Sequence, residues 1–306
     1  MPLRSGLRRV RTALSSEPEK PAAATSSAAP VPIFYGYTRY SVFSPTSRSW
    51  KLTRGKDSDR DYFEQLYAEQ RMRPRADIFL ELSVPILQQM AQAHDYRHVV
   101  HYSADMPQPW LGPLQEAARR YPVLWLVEAD EQPVLADTLA ADLRERGVGD
   151  CTVVNFRIDD DDILATTYLD QLSAFAGRAD RNRAISLARG AAGVYLDGRI
   201  EPLLDQQRPF GAQGQAYVGN FRARDGRLFL RGGPGIDHTK VARHLPTIVD
   251  AREIAWLQLR HPGQDMLTDE ADALDRIRRS IAHLPPLTDT DIAALFPTIV
   301  DRLISG

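Results

Sequence analysis

The chain has one cysteine, Cys151, among its 306 residues. That excludes an internal disulfide and fits a reducing, cytoplasmic compartment. No apolar run approaches the roughly 18 residues of a membrane-spanning helix, so no transmembrane segment is expected. Lysine is almost missing: of 38 basic residues, 34 are arginine and four are lysine. Arginine is the better bidentate partner for phosphate, although genome composition produces the same bias. There is no positive surplus either. The net charge is −2 and the isoelectric point near 6.4, which gives no footprint for nucleic acid. With 43% hydrophobic residues, the chain can bury the core of one large α/β domain or two smaller ones.

Residues 1–32 read as a disordered tail. Met1–Thr12 carries Arg4, Arg8, Arg9 and Arg11 but lacks the apolar stretch of a secretion signal. The Ala-, Ser- and Pro-rich Ser15–Pro32 has too little apolar surface to fold. The basic start is either a leader without a role or a peripheral contact with anionic lipid at the inner face of the membrane.

The stretch with the most chemistry is Val153–Leu164. A β-branched run, Val153–Ile158, reads as a buried strand and ends in four aspartates, Asp159–Asp162. Adjacent carboxylates repel by several kcal/mol at reduced dielectric, so something must offset them. A divalent cation, Mn²⁺ or Mg²⁺, is one answer, because hard oxygen ligands suit it. An acidic, solvated turn is the other. Open α/β sheets place ligands at the carboxyl ends of strands.

Strands expected at Ile33–Tyr37, His98–Tyr102, Val123–Val127 and Thr152–Ile158 alternate with helices. The helices are read at Asp61–Arg71, after Pro74, from Pro109 or Pro113, and through Leu135, Leu139 and Leu143 to a stop at Gly147. Such alternation implies a mainly parallel sheet covered by helices. Between the first strand and first helix, a loop holds Arg48, Trp50, Lys51 and Arg54. It is either a nucleotide-diphosphate contact or a polar surface loop with one anchoring ring.

Several segments together resemble the putative rhamnosyltransferase family. They are Tyr37–Ser41, Ser47–Trp50, Ser83–Pro85, His101–Pro107 and the Phe-Arg-Ile-Asp-Asp-Asp-Asp run from Phe156 to Asp162. That resemblance, over roughly residues 33–261, implies a GT-A-type nucleotide-diphospho-sugar transferase. It implies a glycosyltransferase using a nucleotide-diphospho-sugar donor and a glycan or other hydroxyl acceptor. It also implies Asp159 on the ribose side, with Asp161 and Asp162 on the metal side, in a register ambiguous by one. Arg39 falls in the first of those segments and is a substrate-binding candidate. Arg157 shares a strand face with Asp159 and either pairs with it or reaches a phosphate. A metal-dependent nucleotidyltransferase or phosphohydrolase would use the same aspartates, but no further nucleophile motif is present. A non-catalytic binding protein on the same fold would have no need of four adjacent carboxylates.

Residues 33–306 are read as one domain, with a nucleotide-sugar half (33–165) and an acceptor half (166–306). In the second half, Ala184–Arg189 with Gly193–Leu196, and Ala216–Arg222 with Leu228–Arg231, read as hairpins. The segment Gly232–Lys240 is either a lid or a surface loop and does not match a P-loop. The strand Ala255–His261 ends in a histidine. His261 is either the late metal ligand that the resemblance implies or a capping residue. Two helices, Thr268–Leu284 and Asp289–Ile304, close the chain. If the resemblance extends to rhamnosyl transfer, inversion is expected, which requires a base from the second half. Asp237 is the candidate, with Asp250 in reserve.

Overall fold

Apolar strands alternating with amphipathic helices build an α/β fold whose first half winds one parallel sheet. The computed structural model describes residues 31–45, 58–129, 135–176, 182–232, 237–264 and 272–304. Strand β1 (Ile33–Arg39) is followed by α1 (Asp59–Leu66), α2 (Glu69–Ala76), a π-helix (Asp77–Ser83) and α3 (Val84–Ala93). Next come β2 (Tyr96–Tyr102), α4 (Gln108–Arg120), β3 (Leu124–Glu128), α5 (Leu135–Glu145) and β4 (Cys151–Arg157). The four strands lie side by side and parallel in the order β3-β2-β1-β4, as the alternation requires. Both faces of β1 are buried. Phe34 enters the larger core, which holds Phe79 of the π-helix and Leu87 of α3. Tyr35 and Tyr37 enter the smaller one, with Leu139 and Leu143 of α5. Burial on both faces is why the strand reads as a continuous apolar run. Gly147, with φ of 64°, ends the turn after α5 as expected.

The chain moves outward from β1 to β2 and β3, then returns to the other side of β1 as β4. This reversal opens a crevice at the carboxyl ends of β1 and β4, where open α/β sheets bind ligands.

The second half continues through β5 (Asp162–Leu164), α6 (Tyr168–Ala176), β6 (Arg183–Leu187), β7 (Arg189–Leu196), β8 (Arg199–Ile200) and β9 (Leu204–Gln207). Strands β10 (Gln215–Arg222), β11 (Arg227–Phe229), β12 (Thr247–Asp250) and β13 (Trp256–Arg260) follow, then α7 (Ala273–Ile281) and a short α8 (Ile292–Leu295). β10, β6 and β12 extend the first sheet beyond β4, while β5, β13, β7, β8 and β9 form a second sheet of five strands. The aspartate run is therefore the seam where the chain leaves one sheet and enters the other. Among the described residues no helix is long and apolar enough to cross a membrane.

Three expectations need correction. Residues 184–189 and 193–196 do not form a hairpin: β6 pairs with β10 and β12, whereas β7 pairs with β13, β8 and β9. No turn separates them, and the chain crosses between sheets at Ala188. There the indole of Trp256 fills the space beside Gly190, where a Cβ would lie 2.2 Å from it, and its Nε1 donates to the Leu187 carbonyl at 2.9 Å. Pro74 starts no helix but lies inside α2. The final segment is α8 followed by a 3₁₀ turn, Pro297–Arg302, rather than one long helix. The expected hairpin β10–β11 is present, turned at Gly226 with φ of 63°. The tail at 1–30 lies outside the described residues.

Two buried polar groups tie the first sheet to its helices. Asp142 of α5 accepts from Tyr35 Oη at 2.5 Å and pairs with Arg97 and Arg146. Replacing it by leucine strands three partners, two of them arginines that still reach water. Asp142→Leu is expected to cost roughly 3 kcal/mol in urea unfolding, toward the low end for a broken buried pair.

His98 of β2 lies between Thr38 Oγ1 (2.9 Å) and Tyr96 Oη (2.7 Å). Its ring occupies the space of the missing Gly36 side chain, where a Cβ would lie 2.3 Å from Nδ1. Burial pushes His98 down to about 3; burial and nearby Arg39 push His101 to about 4. Both stay neutral in the fold but titrate near 6.5 once unfolded. The unfolded chain thus binds more protons, and stability falls as pH drops below about 6.5. Urea unfolding at pH 7 and pH 5 should differ by roughly 2 kcal/mol per histidine. A flat profile would show that the imidazoles protonate in place.

Candidate active site

The crevice between the two sheets is a cleft of about 440 Å³. Arg39 and Arg157 enter it from the ends of β1 and β4, and Asp159–Asp162 form its floor. Gln258 and Arg260 of β13 and Arg71 and Arg75 of α2 line it as well. Seven arginines line it against four aspartates. The scarce lysine and plentiful arginine of the sequence are therefore expressed here as guanidinium groups.

Each aspartate is handled differently. Arg157 grips Asp159 bidentately, Nε to Oδ1 and Nη2 to Oδ2, both at 3.1 Å. Buried Arg75 bridges two neighbours, pairing with Asp160 and, through Nη2 at 3.2 Å, with Asp161. Ser41 Oγ also donates to Asp160 at 3.4 Å and accepts from Arg71 Nη1 at 2.8 Å. Ser41 adopts φ of 47°, an unusual conformation for a serine. It lets the chain turn at the end of β1 while its carbonyl accepts from Tyr67 Oη at 3.0 Å. Burial alone would raise Asp161, but Arg75, His261 and Gln264 hold its carboxyl well below the usual range. Asp162 goes the other way: burial, then Asp161 and Asp159, push it well up.

His261 follows β13 and is fully buried, with Nε2 3.5 Å from Asp161 Oδ2. That is long for a hydrogen bond, so Nε2 meets Asp161 only loosely, and Nδ1 makes no hydrogen bond. Asp162 Oδ1 is likewise buried without one. Burial keeps His261 neutral by lowering its pKa, the form that ligates metals. A carboxylate oxygen and a neutral imidazole nitrogen are donors that suit a divalent cation. Among the described residues no cluster of three or more His, Cys, Asp or Glu side chains is arranged to hold a metal alone. Mg²⁺ commonly takes only one or two carboxylates and completes its shell with substrate phosphates. Asp161 and His261 are the side chains that would hold such a cation, and the next carboxylate, Asp162, has a buried oxygen without a hydrogen bond.

Of the residues singled out in the sequence, the structure brings Arg39, Arg157, Asp159, Asp161 and Asp162 to one cleft. His261 sits behind Asp161, on a cavity shared with Tyr195 and Gly263. Arg48, Trp50 and Arg54 lie outside the described residues. Asp237 is not among the groups lining the cleft. It is exposed and caps the 3₁₀ helix His238–Arg243, accepting from Thr239 N at 3.0 Å and pairing with Lys240 at 2.8 Å. Those bonds, Lys240 first, lower the pKa of its carboxyl. Asp250 is similarly taken by Arg252 at 2.8 Å.

Arg71, Arg75, Arg208, Arg260 and Gln264 were not singled out in the sequence. For Arg71 and Arg75 a signal existed, because arginines four apart share one helix face. Arg75→Gln should expose two adjacent buried carboxylates to each other and cost about 3 kcal/mol at pH 7. The loss should shrink toward pH 4, as protonation removes the uncompensated charge. Urea unfolding at the two pH values checks this; an equal loss at both would mean that Arg75 acts through packing alone.

Known structures resemble the chain distantly. TarS residues 1–349 from S. aureus, in complex with UDP-GlcNAc, is 10% identical over 85% of this chain and 68% of that one, with a TM-score of 0.38. A 4-diphosphocytidyl-2C-methyl-D-erythritol synthase is 16% identical over 78% of this chain and 99% of that one, with a TM-score of 0.37. No curated protein matches the chain in sequence. The family described as putative rhamnosyl transferase matches residues 34–273, most of the chain. The protein belongs to that family of glycosyltransferases.

Proposed function

We propose that the cleft binds a nucleotide-diphospho-sugar, with rhamnose as the sugar, and transfers that sugar to a hydroxyl acceptor. One observation carries this: an aspartate run flanked by guanidinium groups at the switch point of a parallel sheet. Guanidinium groups match phosphate oxygens, and the switch point is where such sheets take nucleotides.

In this proposal Arg157 orients Asp159 toward the ribose by its two parallel hydrogen bonds. Arg39, beside it at the end of β1, faces the donor phosphates. Burial and the repulsion of Arg157 lower the Arg39 pKa, and an incoming anion relieves that repulsion. Arg75 keeps Asp161 ionised, and His261 stays neutral behind it. These two side chains would hold Mn²⁺ or Mg²⁺, with Asp162 adjacent. When bound, the cation supplies Lewis-acid neutralisation of the departing diphosphate. The loop carrying Arg48, Trp50 and Arg54 is proposed to contact the nucleotide. A cytoplasmic setting, supported by the single cysteine, completes the proposal.

Calorimetric titration of a panel of nucleotide-sugars, with Mn²⁺ and with chelator, tests it. A nucleoside-diphospho-rhamnose should bind with Mn²⁺ and at least about tenfold more weakly without it. Asp161→Asn should erase the Mn²⁺ dependence while leaving the fold intact. Equal donor affinity with and without metal would remove the cation. Failure of every nucleotide-sugar to bind would remove the donor.

A further inference from the structure

Two arginines of the cleft make no direct ion pair with the aspartate run, although both feel the charge of Asp162 at longer range. Arg260, the last residue of β13, donates Nη1 to Ser280 Oγ at 3.1 Å and Nη2 to Gln258 Oε1 at 3.2 Å. Its Nε is buried without an acceptor. Arg208, just after β9, reaches the same Gln258 oxygen with Nη1 at 3.5 Å. One neutral amide therefore stands between two like charges. Neither arginine forms an ion pair with a described carboxylate, unlike Arg157 with Asp159 or Arg75 with Asp160 and Asp161.

Holding two guanidinium groups together costs electrostatic energy that a shared anion would recover. The pair is also well placed to be shared. Gln258 fixes both heads toward one oxygen, and two planar donors facing one opening suit a carboxylate or phosphate. Their position distinguishes what that anion belongs to. Arg39 and Arg157 end strands of the first sheet, on the side proposed for the donor. Arg208 and Arg260 belong to the second sheet, across the seam at Asp162, which pairs with Gln258 in the β5–β13 ladder.

We propose that Arg208 and Arg260 form an anion subsite for the acceptor, so that the acceptor carries a carboxylate or phosphate near the hydroxyl that receives the sugar. This rests on the donor assignment above for its direction, since the donor fills the other side of the cleft. The subsite favours acidic over neutral acceptors and fixes which hydroxyl faces the donor.

The test uses the full chain and ligand-observed NMR titration with three probes: methyl glucoside, methyl glucuronide and methyl glucoside 6-phosphate. Uridine and thymidine diphosphates are titrated by calorimetry on the same samples. At least one acidic probe should bind about tenfold or more tightly than the neutral one, in line with a charge-assisted hydrogen bond. The better of the two identifies carboxylate or phosphate as the group. The double variant Arg208→Gln/Arg260→Gln should erase the preference while changing nucleotide affinity by less than about twofold. Arg208→Gln alone, at an exposed position, should weaken the acidic probe at least about threefold and serves if the double variant unfolds. Equal binding of all three probes to the wild type would overturn the proposal. So would a parallel loss of nucleotide affinity in the variant, which would assign the pair to the donor diphosphate. If neither nucleotide binds the wild type, the donor assignment fails, while the acidic-probe preference still reports on the pair by itself.

Discussion

Four carboxylates in sequence at the end of a buried strand are tolerated because guanidinium groups pair with three of them, Asp159 to Asp161, while burial and its neighbours push the pKa of the fourth, Asp162, upward. Arg75 matters most, since one head is divided between Asp160 and Asp161. Much of the surrounding structure follows from keeping that arginine in place. α2 must bring Arg71 and Arg75 to the same side. Ser41 must take a left-handed conformation so that its hydroxyl serves both Arg71 and Asp160. The loop after β13 must press against α2. Pro74 leaves the Gln70 carbonyl without a helical donor, and Gly263 packs at that carbonyl, where a Cβ would come within 2.5 Å. This close approach helps set where His261 and Gln264 meet Asp161.

The cleft thus has three electrostatic zones. Near β1 and β4, guanidinium groups alternate with a bidentately held carboxylate. In the middle, Asp161 faces the cleft with buried His261 behind it; the arginine beside Asp161 favours its ionised form, and burial favours the neutral form of His261. Beyond Asp162, positive charge is left over. A nucleotide-diphospho-sugar with a neutral sugar such as rhamnose carries its charge on the diphosphate alone, so a site with cations at both ends has more positive charge than such a donor needs. Specificity for a second anionic group is one use for the remainder.

Much of the first sheet was legible in the sequence because strands buried on both faces must be apolar throughout. The aspartate run was conspicuous for the opposite reason, as charge at the end of such a strand. The partners of that run were not legible. Arg71 and Arg75 fall around Pro74, which was read as a helix boundary but is accommodated inside α2 with a π-helix following. Arg208 and Arg260 are far apart in the chain and meet only because β9 and β13 both pair with β7. The crossing at Ala188 defeats pattern reading too. Two apolar strand segments with a glycine between them look like a hairpin, and only their pairing with distant strands, with the Trp256 ring lying over Gly190, puts them in different sheets. Asp237 was chosen for its glycine-rich neighbourhood, yet a short acidic residue ahead of a helical turn is also a cap.

The seam imposes a length as well as a charge. Asp162 is the last of the four aspartates and also the first residue of β5, opposite Gln258, with Ile163 opposite Leu257 and Leu164 opposite Trp256. Because side chains alternate along a strand, a one-residue slip reverses every side. A fifth aspartate would leave two outcomes. Either the loop bulges and carries Asp161 away from His261, or the ladder shifts and a carboxylate takes the place of buried Ile163. The number of aspartates is therefore set as much by the pleat of the second sheet as by the chemistry of the cleft, and the segment from β4 to β5 can exchange residues far more readily than it can gain or lose one.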